Sequence, residues 1–238
     1  MTRKELKLSA KQVLKGKVFS ALMPLLILIG IGIVLGGLSA LFGQVIKGAL
    51  GTIWSLVNFV LTILMIPLNV GLCIFFLRFA REENPKAGDI FEPYKNKACV
   101  AEQIKANLLV GLYVFLGALC FIIPGILLAL KYSQVNMVLA DNPEMTYREA
   151  MDRSAELMKG RKGEFFILGL SFILWFLLAP LTLGLIYIYL APYMLTTYAK
   201  YYIEINNYDE VGLKAETVKG MDDEPQAQIE EKKEDDIF

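Results

Sequence analysis

The sequence predicts an all-α, polytopic helical membrane protein with about six spans, arranged as three hairpins with cytoplasmic amphipathic helices. Three observations predict this fold class. Of the 238 residues, 55% are apolar and 20% are charged, against ~45–50% and ~25% in soluble chains. The mean hydropathy is +0.49. The apolar residues are concentrated in uncharged runs, each long enough for the ~20 residues that cross a bilayer: 18–46, 48–77, 106–130 and 165–199.

The first two spans follow directly from these runs. A basic N-terminal helix precedes an uncharged stretch that is much longer than the ~7–15-residue apolar core of a cleavable signal peptide. We therefore expect a retained first span over 18–42 and a second over 49–77. Within the first span, Gly32, Gly36 and Ala40 form a small-residue face typical of helix contacts in membranes.

The two remaining runs each require a division. Pro124-Gly125 interrupts the third apolar region, which resumes beyond Lys131, and Pro180 with Gly184 interrupts the last. Proline followed by glycine marks turns, although in a membrane it can merely kink a helix. Dividing at these points predicts four further spans: 104–123, 125–140, 164–179 and 183–203. The fourth and fifth are short, so they either thin the bilayer locally or re-enter it.

The distribution of charge decides between the two topologies. An undivided third run would put the basic segment 141–163 outside, against the usual retention of Lys and Arg in the cytoplasm. A reversal at Pro124-Gly125 keeps every charged loop inside, leaving Lys47 outside and Lys131 within a span. The prediction is a cell-membrane protein with both termini cytoplasmic.

Helical signals also mark the segments between the spans. Thr146 and Glu149 form a predicted capping box for a cytoplasmic helix over 147–159, whose apolar positions recur at helical spacing. This helix either braces the hairpins or docks a partner or lipid. A short basic helix that ends in glycine precedes both the first and the fifth span, at Gly16 and Gly160. Either an internal duplication or the shared chemistry of the membrane interface would explain that similarity.

The C-terminal segment changes character. Residues 1–205 form the predicted helical membrane domain, whereas 206–238 are rich in acidic residues and poor in apolar ones. Such a segment buries too little apolar surface to offset the entropy lost on ordering. It predicts a disordered cytoplasmic tail, either simply solvated or available to a protein partner.

Composition excludes several functions. The 24 basic and 24 acidic residues cancel, and there is no histidine. Nucleic-acid binders are usually basic, and histidine is the commonest metal ligand and general base. Cys73, Cys99 and Cys120 lack the CxxC spacing of metal or redox sites. We expect no enzyme activity, no cofactor, no metal and no nucleic-acid partner.

Intramembrane polar residues provide the one candidate site, because burying such groups costs free energy and they often mark pathways. On one interpretation the Lys131 ammonium extends to the outer headgroups. On the other, it binds an anionic ligand together with neighbouring polar groups. The candidate ligand site comprises Lys131, Tyr132, Asn69, Asn107 and Asn136.

Several local sequences resemble one bacterial family. They include Lys131-Tyr132-Ser133, Leu139-Ala140-Asp141-Asn142-Pro143, Leu157-Met158-Lys159-Gly160 and Ala191-Pro192-Tyr193. Nearly the whole chain before the tail is similar to the integral-membrane family catalogued as domain-of-unknown-function family 975. The resemblance implies a multi-span protein of the cytoplasmic membrane, and it supplies no activity, cofactor or catalytic residue. A more distant similarity, to the membrane domain of some glycerophosphodiester phosphodiesterases, implies only anchoring or lipid association.

Together these observations predict a non-enzymatic scaffold or envelope-associated protein. Its partners would be membrane lipids and a protein bound through helix 147–159 or the acidic tail. The alternative is a small transporter or lipid-handling protein with an anionic ligand near Lys131.

Overall fold

The computed structural model describes residues 2–45, 49–178, 182 and 184–223. These residues form α-helices and one 3-10 helix over Ala87–Lys95, without a strand. The all-α prediction is confirmed for this part of the chain. The helices are α1 Arg3–Leu14, α2 Val18–Val45, α3 Ala49–Leu64, α4 Ile66–Ala80, α5 Lys97–Cys120, α6 Ile122–Lys131, α7 Val135–Asp141, α8 Tyr147–Leu157, α9 Lys162–Leu170, α10 Ile173–Leu178 and α11 Tyr187–Asp223.

The chain divides into two units, Met1–Tyr202 and Ile203–Phe238. In the second unit, residues 203–223 are helical, although the sequence predicts disorder from residue 206. Glu and Lys, both good helix formers, supply five of these 21 residues, and the stretch continues the helix that begins at Tyr187. The remainder of the predicted tail, 224–238, lies outside the described residues.

One part of the first unit exposes its apolar side chains. We call α2, α3, residues 108–120 of α5 and the helix α6 the apolar layer. Large side chains at both ends of this layer are exposed, such as Leu41 in α2 and Phe121 and Ile122 at the α5–α6 turn. Soluble monomers rarely expose an apolar surface of this extent. Four helical segments are long and apolar enough to cross a membrane: Val18–Gly43, Leu50–Ala80, Lys97–Cys120 and Ile122–Asp141.

The second of these segments is interrupted. Its two helices, α3 and α4, meet at Met65, and Pro67 follows in the first turn of α4. The first N–H groups of a helix have no partner within it, so proline is tolerated at this position.

A second part of the first unit is packed like a soluble core. We call α1, α4, the 81–96 loop, α7 and α8 the base. Here α4 packs against the 3-10 helix so closely that a Cβ on Gly71 would lie 1.9 Å from the carbonyl oxygen of Ile90. Glycine is therefore required at position 71. The buried side chains of the base include Leu6, Leu14, Phe75, Phe76, Ile90, Val138, Leu139 and Leu157.

The third apolar run reverses at Phe121. The helix α5 ends at Cys120, Phe121 is extended, and α6 begins at Ile122. The two helices then touch through Gly125, where a Cβ would lie 2.9 Å from the Cα atom of Ala118. The break falls three residues before the predicted Pro124-Gly125 turn, because Pro124 is accommodated in the first turn of α6, where its missing N–H breaks no hydrogen bond.

The fifth and sixth predicted spans are less regular than expected. The segment 164–179 is divided into α9 and α10 by turns at Ser171 and Phe172, and α11 begins only at Tyr187. Residues 179–181 and 183 lie outside the described part of the chain. Four described helical segments are both long and apolar enough to cross a membrane, and none of the four falls within 164–203.

Among the residues that the structure describes, no helix packs against the small-residue face of α2. A Cβ added at Gly32 or Gly36 would meet no atom within 4 Å, so the predicted contact is absent among the described residues. By contrast, the predicted helix stops are confirmed: Gly16 follows α1 with φ 78° and Gly160 follows α8 with φ 77°. Only glycine adopts this left-handed conformation at little cost.

Candidate functional site

The candidate residue Lys131 lies where α6 meets the base. It is the last residue of α6, about 15 Å of helix from the turn at Phe121. Its carbonyl oxygen accepts a hydrogen bond of 3.1 Å from the hydroxyl of Ser154 in α8. The same hydroxyl accepts a 3.2 Å bond from the Gln134 amide. Ser154 therefore joins the end of α6, the following turn and α8. The predicted continuous helix over 125–140 is instead broken after Lys131.

The side chain of Lys131 faces aromatic rings. Its Nζ atom lies 5.0 Å from the centroid of the Tyr132 ring, and that ring lies 6.0 Å from the ring of Tyr113 in α5. Cation–π attraction favours this arrangement. Among the described residues, Lys131 has no carboxylate partner. Its position at the end of a helix also favours the positive charge through the helix dipole.

The three candidate asparagines do not form one cluster. The Asn107 amide donates a 2.9 Å hydrogen bond to the Asn136 side-chain oxygen and another of 2.9 Å to the Gln103 carbonyl. This pair joins α5 to α7. Asn69 is exposed on α4 and has no hydrogen bond to a described residue. The structure thus brings together Lys131 with Tyr132, and Asn107 with Asn136, and it leaves Asn69 apart from them.

Contacts between distant segments hold the base together. Lys17 donates to Asn84 at 2.7 Å, which ties the start of α2 to the 81–96 loop. Arg81 forms a 2.7 Å ion pair with Asp141, and the Tyr202 hydroxyl donates to Asp141 at 3.3 Å. The local sequence around each of these residues does not indicate its partner. Their pairing depends on contacts across as many as 67 positions.

The predicted helix 147–159 is part of the base, and the structure gives it as α8, Tyr147–Leu157. Its capping box is confirmed: the Thr146 amide donates to Glu149 at 2.8 Å, and the Glu149 amide donates to the Thr146 hydroxyl. The Thr146 hydroxyl also donates to the Glu149 carboxylate, at 2.9 Å. The two bonds that the carboxylate accepts, from the Thr146 amide and from its hydroxyl, lower the pKa of Glu149. The Tyr147 amide also donates to Glu102 of α5 at 2.9 Å. The first turn of α8 is therefore held by two contacts, the capping box and the bond to α5.

The structure shows which face of α8 packs within the protein. Its buried face consists of Ala150, Met151, Ser154 and Leu157. Arg148, Asp152 and Glu156 lie on the exposed face. The apolar face is therefore used within the protein, as a bracing helix requires, and the surface left for other molecules is charged.

These features define an all-helical protein that combines four apolar helices of membrane-spanning length with a packed, charged base. The chain belongs to the DUF975 family of proteins of unknown function, whose family model matches residues 1–130 and 119–209. Comparisons with curated proteins and with solved structures give no significant match.

Proposed function

We propose that the protein is a non-enzymatic integral protein of the cytoplasmic membrane, in which three hairpins carry a cytoplasmic base that serves as a scaffold. The observation that supports this best is the set of contacts between charged segments. Lys17 bonds to Asn84, and Arg81 pairs with Asp141. These contacts need the N-terminal helix and the loops around 81–96 and 141–161 on one side of the membrane. The positive-inside rule makes that side the cytoplasm.

Cysteine accessibility tests this topology. In a chain without Cys73, Cys99 and Cys120, single cysteines would replace Phe121 and Thr182 at the two described outer turns. Phe121 is 76% exposed, which makes it better suited than Gly125, where a side chain would strike Ala118. We expect both positions to react with an impermeant thiol reagent applied to intact cells. Lys47, at the other outer turn, lies outside the described residues and provides a third position.

Inner positions serve as matched controls. Cysteines in place of Glu83 and Glu156, both exposed in the base, should react only after the cells are permeabilised. Reaction of Phe121→Cys without Thr182→Cys would indicate four spans, with α9 and α10 remaining inside. Reaction of Glu83→Cys from outside, or protection of all the outer positions, would contradict the three-hairpin proposal.

The scaffold role follows from the charged face of α8. A face that displays Arg148, Asp152 and Glu156 suits an oppositely patterned protein surface better than the apolar interior of a bilayer. A photo-crosslinking residue at Asp152 or at Glu156 should capture the same protein from both positions. The same residue at Leu41 in the apolar layer is the control, which should yield lipid adducts. Lipid adducts alone from the two α8 positions would contradict a protein partner.

A lipid-handling role is the second candidate, and one observation favours it. Lys131 carries a charge at the edge of the apolar layer without a carboxylate partner among the described residues, and Tyr113 and Tyr132 line that edge. A cation beside aromatic rings at this depth suits an anionic headgroup. Native mass spectrometry should then detect anionic lipid bound to the purified protein and lost from Lys131→Leu. Equal lipid binding by the two proteins would contradict this role.

A further inference from the structure

The base contains a cavity that the scaffold role leaves unexplained. It has a volume of about 760 Å³, within the ~300–1,000 Å³ range of small-molecule sites. Its walls are α4, the 3-10 helix, the first turns of α5, the end of α7 and the 142–145 loop. The Cys99 thiol donates to the carbonyl oxygen of Pro143 at 3.0 Å, so the loop is held against α5 at one edge of the cavity.

The cavity is lined by a buried polar group that lacks a partner. Gln103 is only 2% exposed, and its Oε1 atom has no hydrogen-bond partner among the described residues. Buried amide oxygens are nearly always hydrogen-bonded, because leaving one unpaired costs free energy. Gln103 lines the cavity, so a donor on a molecule bound there would satisfy this oxygen once the amide group turned toward it.

The charged residues around the cavity indicate whether the bound molecule is a cation or an anion. Four carboxylates line it, those of Glu92, Asp141, Glu144 and Glu149, against the two cations Arg78 and Lys95. Arg78 is already engaged by Glu92 at 2.6 Å and by Asp89 at 3.5 Å, and Asp141 is paired with Arg81. Glu144 is exposed and has no partner among the described residues. The residues that line the cavity thus carry a net excess of negative charge.

We propose that this cavity binds a small organic cation with N–H donors, an amine or a guanidinium compound. The donor would satisfy Gln103 Oε1, while Glu144 at the rim would contact the positive charge. Charge-assisted hydrogen bonds of this kind are the stronger ones in proteins. The residues that line this cavity do not include Lys131, Tyr132, Asn69, Asn107 or Asn136, and the site requires neither the scaffold partner nor an anionic ligand.

Cys99 provides a direct readout, because it lines the same cavity. The full-length protein in detergent, with Cys73 and Cys120 replaced by alanine, would be treated with a neutral thiol reagent at neutral pH. Agmatine, which carries both a guanidinium and an amine, is the probe. At millimolar concentrations it should slow the modification of Cys99. Glutarate, an organic dianion, should leave the rate unchanged.

Three variants separate binding from folding. Gln103→Met keeps the size of the side chain and removes the unpaired oxygen, so it should unfold at the same or a higher temperature without ligand. It should nevertheless need about tenfold more agmatine for the same protection, as expected when one hydrogen bond is lost. Glu144→Gln, on an exposed loop, should also weaken protection. Glu82→Gln, an exposed acid that does not line the cavity, is the matched control and should behave like the parent protein.

The outcomes are distinct. Protection by agmatine that weakens in Gln103→Met and Glu144→Gln, but not in Glu82→Gln, supports the site. Protection by glutarate, absence of protection by agmatine, or equal protection in all three variants would overturn it. A wholly unreactive Cys99 would also overturn it, because the cavity would then be closed to a molecule of this size.

Discussion

The apolar layer and the base both contain hydrophobic helices, and they differ in what surrounds the apolar side chains. Glycine makes the difference clearest. Gly36 of α2 has open space where a side chain would stand, whereas Gly71 of α4 has the Ile90 backbone there. In the apolar layer, the hydrophobic side chains face the lipid of the membrane, so no single contact between residues matters much. In the base the hydrophobic side chains pack against one another, so stability depends on how well their shapes fit. The two regions therefore tolerate substitution very differently.

The largest expected effect comes from Gly71→Ala. The added methyl group would overlap the carbonyl oxygen of Ile90, and a backbone atom cannot move aside as a flexible side chain can. We expect a loss of about 3 kcal/mol, at the upper end for overpacked cores, measured by thermal or denaturant unfolding in detergent.

The matched control for that substitution is Gly36→Ala, in the apolar layer. Its stability should be unchanged or slightly raised, since alanine is the better helix former and meets no neighbour. Equal losses at the two positions would remove the distinction between the apolar layer and the base.

The next effect concerns the ion pair between the loops of the base. Asp141 accepts from both Arg81 and Tyr202, so Asp141→Asn should cost about 1–2 kcal/mol. Arg81 is about a third exposed, and solvent screening keeps the value from being larger.

A pair on the surface of α8 provides the comparison. Arg153 and Glu156 are 3.7 Å apart, and the Glu156 side chain is 69% exposed. Glu156→Gln should change stability by less than about 0.5 kcal/mol. Both variants can be compared by chemical denaturation, and a larger loss for Glu156→Gln would contradict the assignment of Asp141 to the packed base.

The contrast between the apolar layer and the base also explains which structural features could be predicted from the sequence. Hydropathy runs and helix stops depend on neighbouring residues only, so the all-α class, the capping box at Thr146 and the stops at Gly16 and Gly160 could be found. The contact of Gly71 with Ile90 joins two elements through backbone shape, for which no residue pattern exists. The orphaned Gln103 was missed for the same reason, because a single glutamine near the start of a span resembles any interfacial polar residue.

The N-cap residue of α8 gives a smaller effect. Thr146→Ala removes the hydroxyl that caps the helix and should cost about 1 kcal/mol at neutral pH. The pKa of Glu149 is lowered from its ordinary value of 4.5 by the backbone and hydroxyl of Thr146. The stabilisation that this carboxylate contributes is therefore complete above about pH 4.5 and is lost as the pH falls through the lower, folded-state pKa.

Unfolding midpoints of the parent and Thr146→Ala proteins, measured from pH 7 downward, test this dependence. The difference between the two proteins should be largest near neutrality and should narrow as the carboxylate is protonated, since Thr146 then has a weaker partner. A difference that widens on acidification would contradict the capping role of Glu149.

A still smaller effect than that of Thr146→Ala is expected of Lys131→Leu, at the junction of the two regions. The residue holds the base through its carbonyl oxygen, which accepts from Ser154, and leucine leaves that bond intact. What is lost is the contact of Nζ with the Tyr132 ring, worth about 0.5–1 kcal/mol at exposed sites and offset in part by added apolar surface. Ser154→Ala is the counterpart, since it removes a buried hydroxyl that joins α6, the following turn and α8, and it should destabilise more. If Lys131→Leu proved the more damaging in unfolding experiments, the side chain rather than the backbone would link the apolar layer to the base.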